Sequence, residues 1–187
     1  MDWHNTRHGY GALTKLCHWL IAALFLFQYL AATIMLRLEP GGVSLGLSQD
    51  TWYNWHKSIG LVALAVAIAR LLARRAGTLP DWAPTLVPWE HRFIHRAEQI
   101  LYAAMFLMPV SGYLYVMAGG YGVRLFGAIE LPNPIGERGS LATLAKYTHI
   151  ASAYVLLAAI CGHAGLVLRH HIVLRDGLLR RMLPGRK

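Results

Sequence analysis

Four long apolar segments alternate with shorter polar connections along the chain. The first and third read LCHWLIAALFLFQYLAATIML and ILYAAMFLMPVSGYLYVMAGG, and the fourth covers about 147–168. Each reaches the roughly 20 residues that a helix needs to cross a bilayer. The second, IGLVALAVAIARLLA, reaches this length when the preceding WYNWHKS counts as an interfacial turn, which its Trp and Tyr residues favour. The pattern predicts an all-α, integral membrane four-helix bundle.

The expected organisation is a single membrane domain over residues 1–187, with spans at approximately 16–37, 53–73, 98–120 and 147–168. The first segment is interpreted as a retained helix rather than a signal peptide. Its apolar stretch is too long, and no small-residue cleavage site precedes a polar region. Pro109 is expected to kink the third helix without ending it.

Composition and charge agree with a surface that faces lipid. The chain is 56% hydrophobic and 14% charged, with a mean hydropathy of +0.39 and a net charge of +9. Twelve of the 18 basic residues lie in the N-terminus, the second connection and the C-terminal tail: Arg7, Lys15, Arg74, Arg75, Arg92, Arg96, Arg169, Arg175, Arg180, Arg181, Arg186 and Lys187. Basic residues favour the cytoplasmic side, so both termini are predicted to be cytoplasmic and the loops at about 38–52 and 121–146 to face outward. Because the cations cluster at membrane edges, no nucleic-acid partner is expected.

Four of the ten histidines lie within the apolar segments or at their mouths: His18, His56, His149 and His163. Ionisable residues in a membrane are costly and usually face the bundle interior. His149 and His163 are fourteen residues apart, which on a helix is about 40° short of four turns, with a rise of about 21 Å. They therefore share one face at two depths. The alternating direction of the helices pairs His18 with His163 at the inner level and His56 with His149 at the outer level.

Two imidazoles that face each other across a bundle suit a cofactor with two opposed axial positions, for which haem b is the candidate. A tetrahedral zinc site needs three or four ligands at one level. Bis-histidine ligation favours electron transfer over oxygen binding. Small residues on the fourth helix, and Gly60 on the second, are expected to give the porphyrin room. The alternative is that they only allow close helix packing, which leaves the four histidines unexplained.

Arg70 follows His56 by the same fourteen positions, so it is expected on the same face of the second helix at the inner level. One hypothesis is that Arg70 pairs with a propionate of the inner haem. The alternative is that its long side chain extends to the cytoplasmic headgroups. Both hypotheses stay open at the level of the sequence.

Several stretches together resemble the bacterial cytochrome b561 family, relatives of the cytochrome b subunits of membrane hydrogenases. They are KLCHWLIA, WHKSIGL with ARLLAR, the run from His95 through Tyr102 to PVSG, THIASAY with GHAGLVLRHH, and RDGLLRRMLP. The resemblance covers nearly the whole chain. It implies a multi-pass protein of the bacterial inner membrane with two b haems, whose iron is bound by one histidine from each of helices one and two and by two from helix four. The matching positions are His18, His56, His149 and His163.

The resemblance also implies transmembrane electron transfer with ubiquinone as redox partner. Some members of the family are superoxide:quinone oxidoreductases that take electrons from superoxide outside the membrane, and others serve separate redox proteins. His95 lies in a stretch that resembles the third helix of the family, which makes it a candidate for haem-propionate or quinone contact. Lys57 and the other outer basic residues are candidates to attract an anion or contact the outer haem propionates. Acidic residues nearly balance them, so no strong anion funnel is predicted.

Two other functions remain as alternatives. The first is a cytochrome b subunit that relays electrons for a separate dehydrogenase. The second is a haem-free histidine metal transporter, which predicts ligands clustered at one depth. His91 and His95 have the i,i+4 spacing that can bind a metal, but a headgroup-level role is favoured. His170 and His171 are interpreted as interfacial anchors.

Overall fold

The computed structural model describes residues 2–183, and it is all-α, as predicted. Its four helices are α1 (Ala12–Arg37), α2 (Gln49–Ala76), α3 (Pro88–Ala118) and α4 (Gly139–Leu168). A π-helical turn, Arg169–Leu174, extends α4, and a short 3-10 helix, Leu179–Arg181, follows. Arg186 and Lys187, two of the cations assigned to the cytoplasmic tail, lie outside the described residues.

Each helix is longer than the predicted membrane span that it overlaps, because the helical backbone continues into polar sequence, but α3 ends at Ala118, two residues before the predicted end of the third span at 120. The helix α4 begins at Gly139, so residues 139–146, which were predicted to be loop, are helical. The prediction was wrong there because it followed hydrophobicity, whereas a helix satisfies its own backbone hydrogen bonds with or without lipid. The helix α3 continues through Pro109. Which part of each helix crosses the membrane stays a prediction.

Local sequence explains where two of the helices begin. Ser48 precedes α2, and its hydroxyl accepts a hydrogen bond from the N–H of Thr51 at 3.2 Å. Pro88 opens α3, where the missing N–H of proline costs no helical hydrogen bond. The Glu90 carboxylate then accepts the N–H of Val87 at 3.0 Å. These contacts satisfy backbone donors that have no partner inside the helix.

Three of the helices are long and apolar enough to cross a membrane: Ala12–Arg37, Pro88–Ala118 and Gly139–Leu174, the last including the π-helical turn. The helix α2 does not reach the same hydropathy, because it carries Asp50 and Lys57 near its start and three arginines toward its end. The sequence analysis likewise needed the aromatic lead-in of this helix to complete a span. Its face toward the bundle is built from small and aromatic residues, Trp52, Ser58, Ala63 and Ala67.

Two short β-hairpins lie in the loops that join α1 to α2 and α3 to α4. Strand β1 (Val43–Ser44) pairs with β2 (Leu47–Ser48), and β3 (Arg124–Leu125) pairs with β4 (Ile129–Glu130). The second turn places Phe126 and Gly127 at φ 48° and 76°. A type I′ turn has two such left-handed residues in succession, and glycine adopts this conformation without a steric penalty. The second hairpin folds back over the N-terminal part of α2, where the N–H of Phe126 donates to the Ser58 hydroxyl.

The helices pack in sequence, α1 against α2, α2 against α3, and α3 against α4. Among residues 2–183, α4 shows no comparable packing against α1 or α2. One apolar cluster joins Ile21, Ala67 and Met105 from the first three helices, and another joins Met35 and Trp52 with Ala31. The result is a seam between α4 on one side and the α1–α2 pair on the other.

Candidate functional site

Two pairs of histidines face each other across this seam. The ring centres of His18 on α1 and His163 on α4 are 6.1 Å apart, and the ring planes meet at 61°. The ring centres of His56 on α2 and His149 on α4 are 6.3 Å apart, at 85°. We call the half of the bundle around His18 and His163 the inner half, and the half around His56 and His149 the outer half. The four histidines are brought together in the two pairs named from the sequence.

The spacing of both pairs fits two imidazoles that bind one metal from opposite sides. A metal–imidazole bond is about 2 Å long and the ring centre lies about 1 Å beyond the nitrogen, so the ring centres of such a pair are about 6 Å apart. In the described part of the chain α4 is not packed closely along α1 or α2, although the Tyr29 hydroxyl of α1 donates to the Ala153 carbonyl of α4 at 2.7 Å. Nδ1 of His56 is buried without a hydrogen-bond partner among the described residues. The donor set therefore fits haem iron at two levels.

The outer pair is held by main-chain contacts. Nδ1 of His149 lies 2.9 Å from the carbonyl oxygen of Met108 on α3. The amide of Gln28 donates to the carbonyl of His56 at 3.1 Å. Gly60 was expected to give the porphyrin room, but a Cβ added there would meet the Gln28 amide nitrogen at 3.0 Å. Gly60 therefore accommodates Gln28, a contact that helical periodicity on α2 alone did not reveal.

Arg70 lies beside the inner pair, half-buried on α2. It is close enough to His18 and His163 for its charge to act on both imidazoles. Its guanidinium carbon is 5.8 Å from the ring centre of Tyr102, and its Nη1 atom is buried without a hydrogen-bond partner within residues 2–183. A buried guanidinium nitrogen without an acceptor is energetically costly, and a hydrogen bond to an anion would remove that cost.

The remaining site candidates lie in less specific surroundings. Nζ of Lys57 donates to the carbonyl of Gly122 at 3.0 Å, so this lysine ties the second hairpin to α2. His95 is exposed, and its Nε2 lies 3.2 Å from the amide nitrogen of Gln99. His91 instead stacks on Trp82, with ring centres 4.6 Å apart. Among the residues that the structure describes, no third donor joins His91 and His95 in one ligand group.

His170 is not an interfacial anchor, because it is fully buried. Its Nε2 lies 3.1 Å from Glu90 on α3, and its Nδ1 contacts the carboxylate of Asp176. Arg169 also donates to Glu90, at 2.6 Å. Ionised carboxylates only accept hydrogen bonds, so His170 between them carries hydrogens on both nitrogens. Sequence reasoning missed this network because Glu90 and His170 are 80 residues apart.

Asp176 completes the network from outside the helix. Burial raises the pKa of Asp176, but hydrogen bonds from His170, Thr85 and the N–H of Leu178 outweigh this and hold the pKa below its ordinary value. The carboxylate is therefore ionised at neutral pH. This charge ties the segment after α4 to the first turn of α3.

No group of three or more histidine, cysteine or carboxylate side chains with metal-binding geometry occurs within residues 2–183. A transporter that binds a metal through clustered histidines was expected to place such a group at one depth. The histidines are instead split into two pairs on the two halves of the seam. The donor set therefore favours two separate two-ligand centres over one cluster.

Known proteins resemble this chain over almost its whole length. A family model described as prokaryotic cytochrome b561 matches residues 9–185. Cytochrome b561 homolog 2 of Escherichia coli is 27% identical over 98% of this chain and 95% of its own length. A Yersinia pestis protein named probable superoxide oxidase CybB is 26% identical over 95% of this chain and 97% of its own. Cytochrome b562 of Cereibacter sphaeroides is 28% identical over the same shares.

Proposed function

Since the chain belongs to the prokaryotic cytochrome b561 family, a family of four-helix membrane cytochromes with haem b, we propose that it carries electrons across the bacterial inner membrane through two b haems. Bound haem supplies the one-electron chemistry of its iron. The residues of the chain bind it, set its orientation and tune its potential. His18 and His163 are the proposed ligands of the inner iron, and His56 and His149 those of the outer iron.

One observation carries this proposal, namely the two histidine pairs on opposite halves of one seam, with ring centres 6.1 and 6.3 Å apart. A single pair would serve a redox centre on one side of a membrane only. Two pairs whose members on α4 are separated by fourteen residues give a centre in each leaflet. This arrangement suits transfer of electrons across the membrane.

Arg70 is the proposed partner of an inner haem propionate. The support is its buried Nη1 atom, which has no acceptor among residues 2–183, and its position beside both inner histidines. Lys57 is a weaker candidate at the outer level, because one of its three donors already binds Gly122. His95 is exposed on α3, where it is the proposed contact for a propionate or for quinone. Snorkelling of Arg70 to headgroups remains the competing interpretation.

The proposed orientation places both termini in the cytoplasm. It is supported by the twelve basic residues in the N-terminus, the α2–α3 connection and the C-terminal tail. The inner pair would then lie toward the cytoplasm and the outer pair toward the periplasm. The two hairpins would cover the periplasmic side.

Ubiquinone is the proposed partner on one side of the transfer, and superoxide or a periplasmic redox protein is the proposed donor. The name of the Yersinia pestis relative, probable superoxide oxidase, supports superoxide as the electron donor. Two superoxide anions would each lose one electron to become dioxygen, and one quinone would take up two electrons and two protons to become the quinol. The outer surface does not favour an anion strongly, because Arg124 already lies 3.6 Å from Glu130. A subunit that relays electrons for a separate dehydrogenase would use the same histidines with another donor.

A spectrum and a two-step kinetic experiment test the proposal. The purified full-length protein, reduced with dithionite, is expected to show a b-type spectrum with about two haems per chain. The oxidised protein is then mixed in a stopped-flow instrument with superoxide or with a periplasmic redox protein, and afterwards with a ubiquinone analogue. Reduction by one donor followed by re-oxidation by the quinone supports the proposal. A colourless protein would contradict the cytochrome function, and a reduced protein that ubiquinone leaves reduced would contradict the quinone partner.

A further inference from the structure

The helix α3 carries none of the proposed iron ligands, yet it contacts one of them directly. Nδ1 of His149 lies 2.9 Å from the carbonyl oxygen of Met108. A carbonyl oxygen only accepts hydrogen bonds, so Nδ1 must carry the ring hydrogen. In a neutral imidazole the other nitrogen, Nε2, then keeps the lone pair that a metal needs. The Met108 carbonyl therefore selects the tautomer of His149 that can bind iron through Nε2.

Gly112 is what makes this carbonyl reachable. In an α-helix each Cβ tilts toward the preceding turn, so a side chain at position 112 would cover the carbonyl of Met108 four residues earlier. A Cβ added at Gly112 would lie 2.9 Å from Cε1 and 3.0 Å from Nδ1 of His149. The imidazole thus occupies the place where any other residue would carry its side chain.

This close approach distinguishes Gly112 from the other glycines of the described chain. A Cβ at Gly162 would meet the ring of Phe93 at 3.1 Å, and one at Gly165 would meet nothing within 4 Å. Within residues 2–183, only the Cβ at Gly112 would contact a histidine ring. Gly165 is also on α4, but it is exposed and lies about 160° around the helix from His149, away from the histidine face, which makes it a matched control for the same substitution.

The two outer histidines consequently differ in their surroundings. Nδ1 of His149 has a main-chain acceptor, whereas Nδ1 of His56 is buried without a partner among the described residues. A hydrogen bond from the outer N–H of a ligating imidazole raises its basicity and holds its orientation. A more basic ligand stabilises oxidised iron, so this contact is expected to lower the potential of the outer centre.

We propose that Gly112 and the Met108 carbonyl act as positioning residues for His149, fixing the tautomer and the rotation of the outer axial ligand. The inference rests on the proposed haem function. It adds a role for α3, whose main chain acts on the outer centre through His149. It also predicts that the two centres respond differently to substitutions on α3.

Two variants of the full-length haem-loaded protein test this inference. Gly112→Ala pushes the His149 ring away from Met108 and is expected to raise the potential of the outer centre, or to deplete that haem while the inner one is retained. Ser111→Ala acts in the opposite direction. The single Ser111 hydroxyl hydrogen is shared between the carbonyl of Leu107 at 2.6 Å and that of Met108 at 3.0 Å. Its removal leaves the Met108 carbonyl a better acceptor for His149, so a smaller downward shift of the outer potential is expected.

Spectroelectrochemical titration and the low-spin ferric electron paramagnetic resonance signals are the readouts, with Gly165→Ala as the control. The outer signals are those that disappear in His149→Ala. The inference is supported if the outer potential rises in Gly112→Ala, or the outer haem alone is lost, while the outer potential falls in Ser111→Ala and the inner centre and the Gly165→Ala protein are unchanged. If Gly112→Ala fails to fold, the Ser111→Ala shift alone decides.

Unchanged outer signals and potential in the folded variants would overturn the inference and leave the proposed function standing. A wild-type protein without haem would instead overturn the proposed function. The two failures are therefore distinguishable in one set of preparations.

Discussion

The outer and inner halves of the bundle hold their histidine pairs by different means. In the outer half the contacts are neutral or main-chain: His149 meets the Met108 carbonyl, Lys57 donates to the Gly122 carbonyl, and the Ser58 hydroxyl accepts the N–H of Phe126 at 2.8 Å. The ring of Phe126 also packs edge-on against Trp55, with centres 5.9 Å apart. Such contacts depend on backbone geometry and change little with salt or pH.

The inner half contains charged side chains. Arg70 lies beside both histidines, and the Glu90–His170–Asp176 network lies at the first turn of α3. Charges in a poorly hydrated setting act over longer distances than hydrogen bonds do. We therefore expect the two proposed centres to have different potentials, although each is built from the same pair of donors. Substitutions should therefore affect the halves separately.

Removal of a ligand should have the largest effect. His149→Ala is expected to remove mainly the outer haem and His163→Ala mainly the inner one, so each variant retains about half of the bound haem, because one imidazole alone leaves an axial position open. Haem content per chain and the ferric spectra measure this. If both substitutions deplete the same haem, the assignment of one haem to each histidine pair is wrong.

Loss of the buried imidazole in the inner half is expected to destabilise the protein more than loss of a surface ion pair. His170→Ala removes the cation between the buried Glu90 and the mostly buried Asp176. Of these two carboxylates, only Glu90 keeps another cationic partner within the described residues, Arg169, so the apparent Tm should fall by roughly 10 °C. Glu98→Gln is the matched control, since its pair with Arg74 is about one-third exposed. Its Tm should fall by no more than about 3 °C. Thermal unfolding in detergent measures both, and equal shifts would argue against the network.

Substitutions that leave both haems bound should change the redox potential of one proposed centre and not that of the other. Arg70→Gln removes a cation beside the inner pair and is expected to lower the inner potential by roughly 70 mV, the effect of a unit charge at about 10 Å with an effective dielectric constant of about 20. Lys57→Gln should change either potential much less, because the Lys57 ammonium is already bound to Gly122. Redox titration of both variants provides the comparison. An unchanged inner potential in Arg70→Gln would show that Arg70 reaches the headgroups instead.

Acidification should increase local unfolding in the inner half only, and we expect this to be the smallest of the predicted effects. The pKa of Asp176 is lowered by its hydrogen bonds, so its stabilising charge is fully present above about pH 4, near the ordinary value of 3.8, and is lost as the pH falls further. Hydrogen exchange of residues 175–183, corrected for the intrinsic rate, should rise severalfold between pH 6 and pH 3. Residues 122–127 of the outer hairpin should change little. An equal rise in the exchange rate of both segments would contradict the proposed difference between the inner and outer halves.

The parts of this arrangement that follow from periodicity were predictable from sequence. Apolar length gave the four helices, and the fourteen-residue spacing with alternating helix direction gave the histidine pairs. The Met108 carbonyl was not predictable, because a main-chain acceptor has no sequence signature and depends on how α3 meets α4. The burial of His170 depended on Glu90, 80 residues away. The early start of α4 was missed because hydrophobicity marks a span rather than a helix end.

The most direct test of the two-centre account is the location of iron in crystals of the purified protein. Anomalous diffraction recorded at the iron absorption edge should give two peaks per chain. One should lie between His18 and His163, and the other between His56 and His149. A single peak, or a peak away from either pair, would contradict the account.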